Sequence, residues 1–180
     1  MVCLIVLLTA TLTVPAMAQT ILFDDFVNSP SDRWELVKDN VMGGISIGNL
    51  EFKADNNSNY ARMTGAVKLD NNGGFIQFRR KLDDYLDRTN EGLELEVRGN
   101  DQEYYVHIRT TGTLLPWQYY QAPFFAKNNW QNVELNFSKF KPSSIWLSKN
   151  LSAKNIRSIG IVAIGREQNV QIDVKKIFFF

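Results

Sequence analysis

Leu93-Glu94-Leu95-Glu96-Val97-Arg98 alternates apolar and polar side chains without a break. Successive side chains of an extended chain point to opposite faces, so this stretch buries one face and wets the other. An antiparallel sheet covered on one side produces that pattern. The run breaks at Arg98-Gly99-Asn100-Asp101, a turn sequence, and alternation resumes beyond it. There Tyr104, Val106 and Ile108 form the apolar set, which puts Tyr105, His107 and Arg109 together on the opposite, polar face. Val133, Leu135 and Phe137 repeat the pattern, as do Val170, Ile172 and Val174. Asp55-Asn56-Asn57-Ser58-Asn59 and Asp70-Asn71-Asn72-Gly73-Gly74 are further turn formers between runs. No stretch sustains a capped 3.6-residue stripe, and Leu82 to Leu86 is read as a single helical turn. Short strands at near-regular spacing predict an all-β, antiparallel β-sandwich. The apolar end Ile177-Phe178-Phe179-Phe180 is read as its last strand, with an aromatic plug for a partner as the alternative. Phe23 and Phe26 are expected near it, because first and last strands should lie together.

Residues 1–18 read as a secretory signal peptide: Leu4 to Val14 is apolar, and Ala16-Met17-Ala18 is an A-x-A cleavage site before Gln19. The apolar run falls short of the roughly 20 residues of a transmembrane helix. Its departure from the usual leader is that no Lys or Arg precedes the apolar run. The expectation is an exported protein, periplasmic or secreted, with no transmembrane segment after cleavage and residues 19–180 as a single domain. Cys3 is the one cysteine, so residues 19–180 have no disulfide, thiolate metal site or cysteine nucleophile. A domain of this length buries roughly 70% of its unfolded surface and can stand on its core alone. A formal net charge of +1 gives no general attraction to nucleic acid.

Two loops place a Gly-Gly pair immediately before a β-type run: Asp39-Asn40-Val41-Met42-Gly43-Gly44-Ile45-Ser46 and Asn71-Asn72-Gly73-Gly74-Phe75. Glycine is the default where the backbone takes a positive φ or comes very close to another segment. Asp39, Asn40, Gly43, Gly44, Asn72, Gly73 and Gly74 are therefore read as structural loop residues, corners of one architecture.

These loops, in order with Gly65, Phe78-Arg79, Arg98-Gly99, Tyr104, Gln121-Ala122, Phe124, Trp130, Phe137, Phe140-Lys141-Pro142 and Ile156 through Gly160, resemble the CIA30 family. That family is named for mitochondrial complex I intermediate-associated protein 30. The resemblance spans nearly all of the chain after its first twenty residues. Asn100 departs from an acidic residue usual in the family, and Met63 from an aromatic one. The resemblance implies a galactose-binding-like jelly roll and a role in assembling a membrane respiratory complex. A leader for export implies a different compartment.

Chemistry is sparse. His107 is the only histidine; Ser46 and Ser58 are conceivable partners, but no Gly-x-Ser-x-Gly elbow is present. On its polar face His107 is expected to be a solvated or hydrogen-bonded surface group, flanked by Tyr105 and Arg109 in a small recognition stripe. The segment Leu114 to Phe124 is the densest in aromatics. Trp117 and Tyr119 suit stacking on a sugar ring or an apolar partner side chain; alternatively Tyr120 and Phe124 are core and Trp117 plugs a loop. Asp24-Asp25, Asp83-Asp84 and Glu94 with Glu96 are carboxylate pairs read as solvated charge rather than a glycosidase pair. One histidine and no mature cysteine leave no nitrogen or sulfur metal site; Asp70-Asn71-Asn72 is an Asx-rich turn, with an oxygen-ligand Ca²⁺ site as its alternative. No cofactor is expected, and neither glycine pair carries the Lys-Ser/Thr of a phosphate loop.

The sequence thus reads as an exported, non-enzymatic binding module, a protein-interaction or assembly-factor-like domain, with Tyr105, His107, Arg109, Trp117 and Tyr119 as its binding residues. Its expected partner is a protein, such as a member of a membrane complex, or a glycan; a carbohydrate-binding module is the alternative reading and a hydrolase the third. Mass spectrometry of the exported protein should find Gln19, free or cyclised, at the N-terminus, and retention of Met1 would refute export.

Overall fold

A computed structural model describes residues 20–55, 58–84 and 86–180; the leader and its cleavage site lie outside the described residues. The strands are β1 (Ile21–Asp24), β2 (Trp34–Lys38), β3 (Ile47–Asp55), β4 (Ser58–Val67), β5 (Phe75–Lys81) and β6 (Gly92–Gly99). They continue with β7 (Gln102–Thr110), β8 (Tyr120–Ala126), β9 (Gln131–Asn136), β10 (Lys141–Pro142), β11 (Ile156–Ile164) and β12 (Gln168–Phe179). Helical geometry among the described residues is limited to short 3-10 turns at Pro30–Asp32, Asp39–Met42, Asp70–Asn72, Phe137–Lys139 and Ala153–Asn155.

The strands form two antiparallel sheets, in the orders β3-β4-β12-β6-β9, with β1 beside β12, and β10-β8-β7-β11-β5-β2. β12 is long enough to pair β4 through Gln168–Val174 and β1 through Ile177–Phe179 on one side, and β6 on the other. The apolar C-terminus is therefore strand, and Ile21 pairs Phe179. Phe23 packs edge-on to Phe179, with ring centroids 5.4 Å apart. Leu93, Leu95 and Val97 from one sheet and Ile76, Phe78, Tyr104, Val106 and Ile108 from the other are fully buried in the shared core. Alternation selects them, since only one parity of each strand can face the opposite sheet.

Two details differ from expectation. The described residues of the Leu82–Leu86 segment are bends and irregular chain, not a helical turn. Leu82 N–H donates to Arg157 O at 2.8 Å, extending strand-like pairing past β5, and the Asp83 carboxylate is drawn to Arg80 at 2.6 Å. Phe137 is buried but lies in a 3-10 turn beyond the end of β9 rather than in the strand.

The two Gly-Gly loops meet around one carboxylate. Asp39 is fully buried and accepts hydrogen bonds from Ser46 N–H (3.1 Å), Ser46 Oγ–H (2.5 Å), Gly74 N–H (2.6 Å) and Phe75 N–H (3.4 Å). Ser46 Oγ in turn accepts from Lys68 N–H at 3.0 Å. A Cβ on Gly44 would overlap the Asp39 carboxylate, and one on Gly73 would sit 2.5 Å from Asp39 Oδ2. The second glycine of one pair and the first of the other therefore make room for the anion. Gly43 at φ +90 and Gly74 at φ +125 supply the turns that bring them there. Burial pushes the Asp39 carboxyl up, but the hydrogen bonds from Ser46, Gly74 and Phe75 outweigh it and hold the group below its ordinary 3.8. Ser46 is committed to this network, which removes it as a partner for His107.

Gly44→Val and Gly74→Val should each cost more than about 1–2 kcal/mol, the scale of strain at special backbone positions. Thermal melts of either variant within a degree or two of the parent would refute a structural role for the loops.

Candidate functional site

The outward face of the sheet containing β7 carries a cleft. Register places Gly160 of β11 between Arg79 of β5 and His107 of β7, and Ser158 between Lys81 and Arg109. Gln121 of β8 lies opposite His107. Gln77, Arg79, His107, Arg109, Tyr119 and Ser158, together with Gly160 and Pro116, line a small hollow of about 40 Å³. Gly160 has no side chain to fill the strip between Arg79 and His107.

His107 is not the solvated group its parity suggests. It is only 7% exposed, because Tyr119 stacks on it with ring centroids 4.0 Å apart and planes at 12°. Desolvation by burial lowers its pKa to about 4, against a raising hydrogen bond with the Gln121 side chain. Its buried Nε2 has no hydrogen-bond partner among the described residues. An amide, not a carboxylate, is the ring's side-chain partner. The arrangement lacks the relay of a nucleophilic triad.

Arg109 is half-buried and holds the loop that follows its strand. Its Nη2 donates to Thr113 O and Leu115 O, each at 3.0 Å. Gln118 Oε1 accepts from Leu114 N–H and Leu115 N–H, at 2.9 and 3.0 Å. Ser143 Oγ donates to Trp117 O at 2.9 Å and accepts from Tyr119 N–H at 3.0 Å. The loop is thus tied on three sides, yet Trp117 stands 63% exposed while Tyr120 and Phe124 are core. Arg79 pairs Glu35 at 2.6 Å; Arg109 makes no ion pair among the described residues. Burial, then the like charge of Arg79, lowers the pKa of Arg109.

Of the five residues read as a site, His107, Arg109 and Tyr119 line the cleft, and Trp117 is next to Pro116 at its edge. Tyr105 shares the face but does not line the hollow; it is paired with Val162 and Pro123, and its hydroxyl donates to Glu103 Oε1 at 2.7 Å. Sequence reasoning missed Gln77, Ser158 and Gly160, which reach the cleft from strands remote in the chain. A glycine inside the β11 run was the available signal, since it marks a place of close approach. It also missed Trp146, 84% exposed in the loop after β10.

Of the carboxylate pairs read as solvated charge, Asp24 departs from that reading. Asp24 is buried, with Arg33 Nη2 at 2.8 Å and Trp34 Nε1 at 2.6 Å; Asp83 pairs Arg80, and Glu96 pairs Lys175. Among the described residues no three His, Cys, Asp or Glu side chains gather into a metal-sized group.

The family model described as complex I intermediate-associated protein 30 (CIA30) matches residues 24–174. Comparison with curated proteins gives no match. Among solved structures, the chain is similar to a family 11 carbohydrate-binding module from Clostridium thermocellum in complex with a β-1,3-1,4-mixed-linked tetrasaccharide. The TM-score is 0.74 at 15% identity, covering 89% of this chain and 95% of that one. A family 30 carbohydrate-binding module aligns with TM-score 0.54 at 10% identity, covering 73% of each chain. An exo-β-agarase aligns with TM-score 0.59 at 11% identity, over 89% of this chain and 25% of that one. At these identities the likeness is one of fold, the galactose-binding-like jelly roll.

Because His107 is the only histidine, its titration is readable directly. Above its ordinary value of 6.5 both folded and unfolded states are neutral there. Below it the unfolded chain takes a proton that the folded chain refuses until about pH 4, so stability falls as pH drops through this window. Imidazole NMR shifts should stay neutral to below pH 5, and His107→Gln should flatten the pH 7-to-5 loss of melting temperature. A midpoint near 6.5 would show the ring to be solvated.

Proposed function

This chain belongs to the CIA30 family, and from that premise we propose that it is a non-catalytic binding module, exported from the cytoplasm, whose ligand is a glycan. The observation that carries the proposal is the cleft, which gathers hydrogen-bonding side chains beside the loop that bears the exposed indole of Trp117. Sugar rings offer flat C–H faces to aromatics and a ring of hydroxyls to polar side chains. Tyr119 and Trp117 suit the first; Gln77, Ser158, His107 and Arg109 suit the second. The jelly-roll likeness to carbohydrate-binding modules supports the same reading.

A protein ligand is the second reading, in keeping with the family's name, and a different surface favours it. Val41, Met42, Ile45 and Leu69 on the two loops that Asp39 joins, and Ile47 at the start of β3, are exposed aliphatics. Exposed aliphatic side chains serve protein contacts better than sugar hydroxyls.

Binding of the purified protein to a glycan array should be lost or weakened about tenfold or more by Trp117→Ala, with no change in melting temperature, since rigid aromatics dominate binding energy at such sites. Undiminished glycan binding by Trp117→Ala would remove the cleft from the proposal. Absence of any glycan binding, with a membrane partner lost on Met42→Asp, would favour the protein reading.

A further inference from the structure

We infer, building on the glycan reading above, that the sugar taken by this cleft carries a carboxylate, so that the ligand is a uronate-bearing glycan. The cleft contains a cation without a counter-ion. Arg109 spends Nη2 on two backbone carbonyls and directs Nε at Thr113 Oγ1 at 3.5 Å, which neutralises none of its charge and leaves Nη1 out of these bonds. A partly desolvated charge is costly unless paired, and here the neighbouring charge in the cleft is another guanidinium.

The surrounding register repeats the sign. One row across the sheet reads Lys81, Ser158, Arg109; the next reads Glu35, Arg79, Gly160, His107, Gln121, Lys141. Glu35 alone offsets the four cations of these two rows, and it is engaged by Arg79. A neutral ligand would leave Arg109 as it is. A carboxylate matches the planar donors of a guanidinium.

The imidazole adds the second requirement. His107, whose ring has the Gln121 side chain as its partner, lines the same cleft with Nε2 buried and unpartnered. A hydroxyl can donate to that nitrogen or accept from it, whichever tautomer the ring takes, whereas a carboxylate can only accept. A ligand that brings an O–H and an anionic group into one small hollow answers both groups, and a uronic acid does so within one ring. Gly160 leaves the space between Arg79 and His107 free of a side chain of its own: a Cβ there would lie 3.0 Å from Gln77 Oε1 and 3.4 Å from Arg79 Cβ.

The test uses the purified protein and matched pairs of oligosaccharides. Galacturonate oligomers, mannuronate–guluronate oligomers and glucuronate-substituted xylan oligomers are each titrated beside their carboxyl-reduced counterparts. At least one acidic member should bind about tenfold or more tighter than its reduced twin, the scale expected for a charge-assisted hydrogen bond. Arg109→Gln should collapse that ratio toward one, and Arg109→Lys should recover part of it. If Arg109→Gln lowers the melting temperature markedly, the acid-to-neutral ratio of the parent protein decides alone. Equal binding of both twins would overturn the uronate inference and leave the glycan reading intact. No binding by any acidic or reduced oligomer would overturn both.

Discussion

The buried Asp39 carboxylate organises this sandwich because the chain passes between the sheets on both sides of it. β2 leads to β3 through the loop that Asp39 begins, and β4 leads to β5 through the loop that contains Gly73 and Gly74. An unpaired carboxylate in the interior would be prohibitive, so the four donors from Ser46, Gly74 and Phe75 are a condition of the fold. They also fix where β5 starts. Phe75 N–H is on the carboxylate, and two and four residues later Gln77 and Arg79 arrive in the cleft.

The outward faces of the two sheets are chemically unlike. On the first, Asp173 takes Arg62 through both oxygens at 2.7 Å and Arg98 at 2.6 Å. Arg98 lies over the Trp130 ring, 4.6 Å from its centroid, so cations and aromatics there satisfy one another. On the second, Arg109 and the Nε2 of His107 are left open. Buried polar groups are ordinarily satisfied, and an exception on a concave face is where a ligand is to be sought.

That second face is also preorganised. Arg109, Gln118 and Ser143 hold the loop from Thr113 to Tyr119 by its backbone, so Trp117 is presented rather than searching. Binding to such a loop costs less ordering entropy than binding to a free one. Arg109 both fixes the loop and carries the open charge, which is why its substitution calls for the acid-to-neutral ratio rather than affinity alone.

Alternation in Leu93–Val97, Tyr104–Ile108 and Val170–Val174 determined the strands and the core parity, because a period of two is a local property of extended chain. The glycine pairs were legible as places of special geometry for the same reason, since their backbone demand belongs to the residue itself. What each glycine makes room for was not legible: Asp39 lies five residues from Gly44 but thirty-four from Gly73, and only the closed sandwich puts one carboxylate against both. The polar set of Tyr105, His107 and Arg109 was readable from parity, yet the burial of His107 under Tyr119 depends on strand pairing and on the return of a loop. Gln77, Arg79, Ser158 and Gly160 reach the cleft through β5 and β11, whose register with β7 is a long-range choice. Local periodicity sets which way a side chain points; only tertiary pairing decides what it faces.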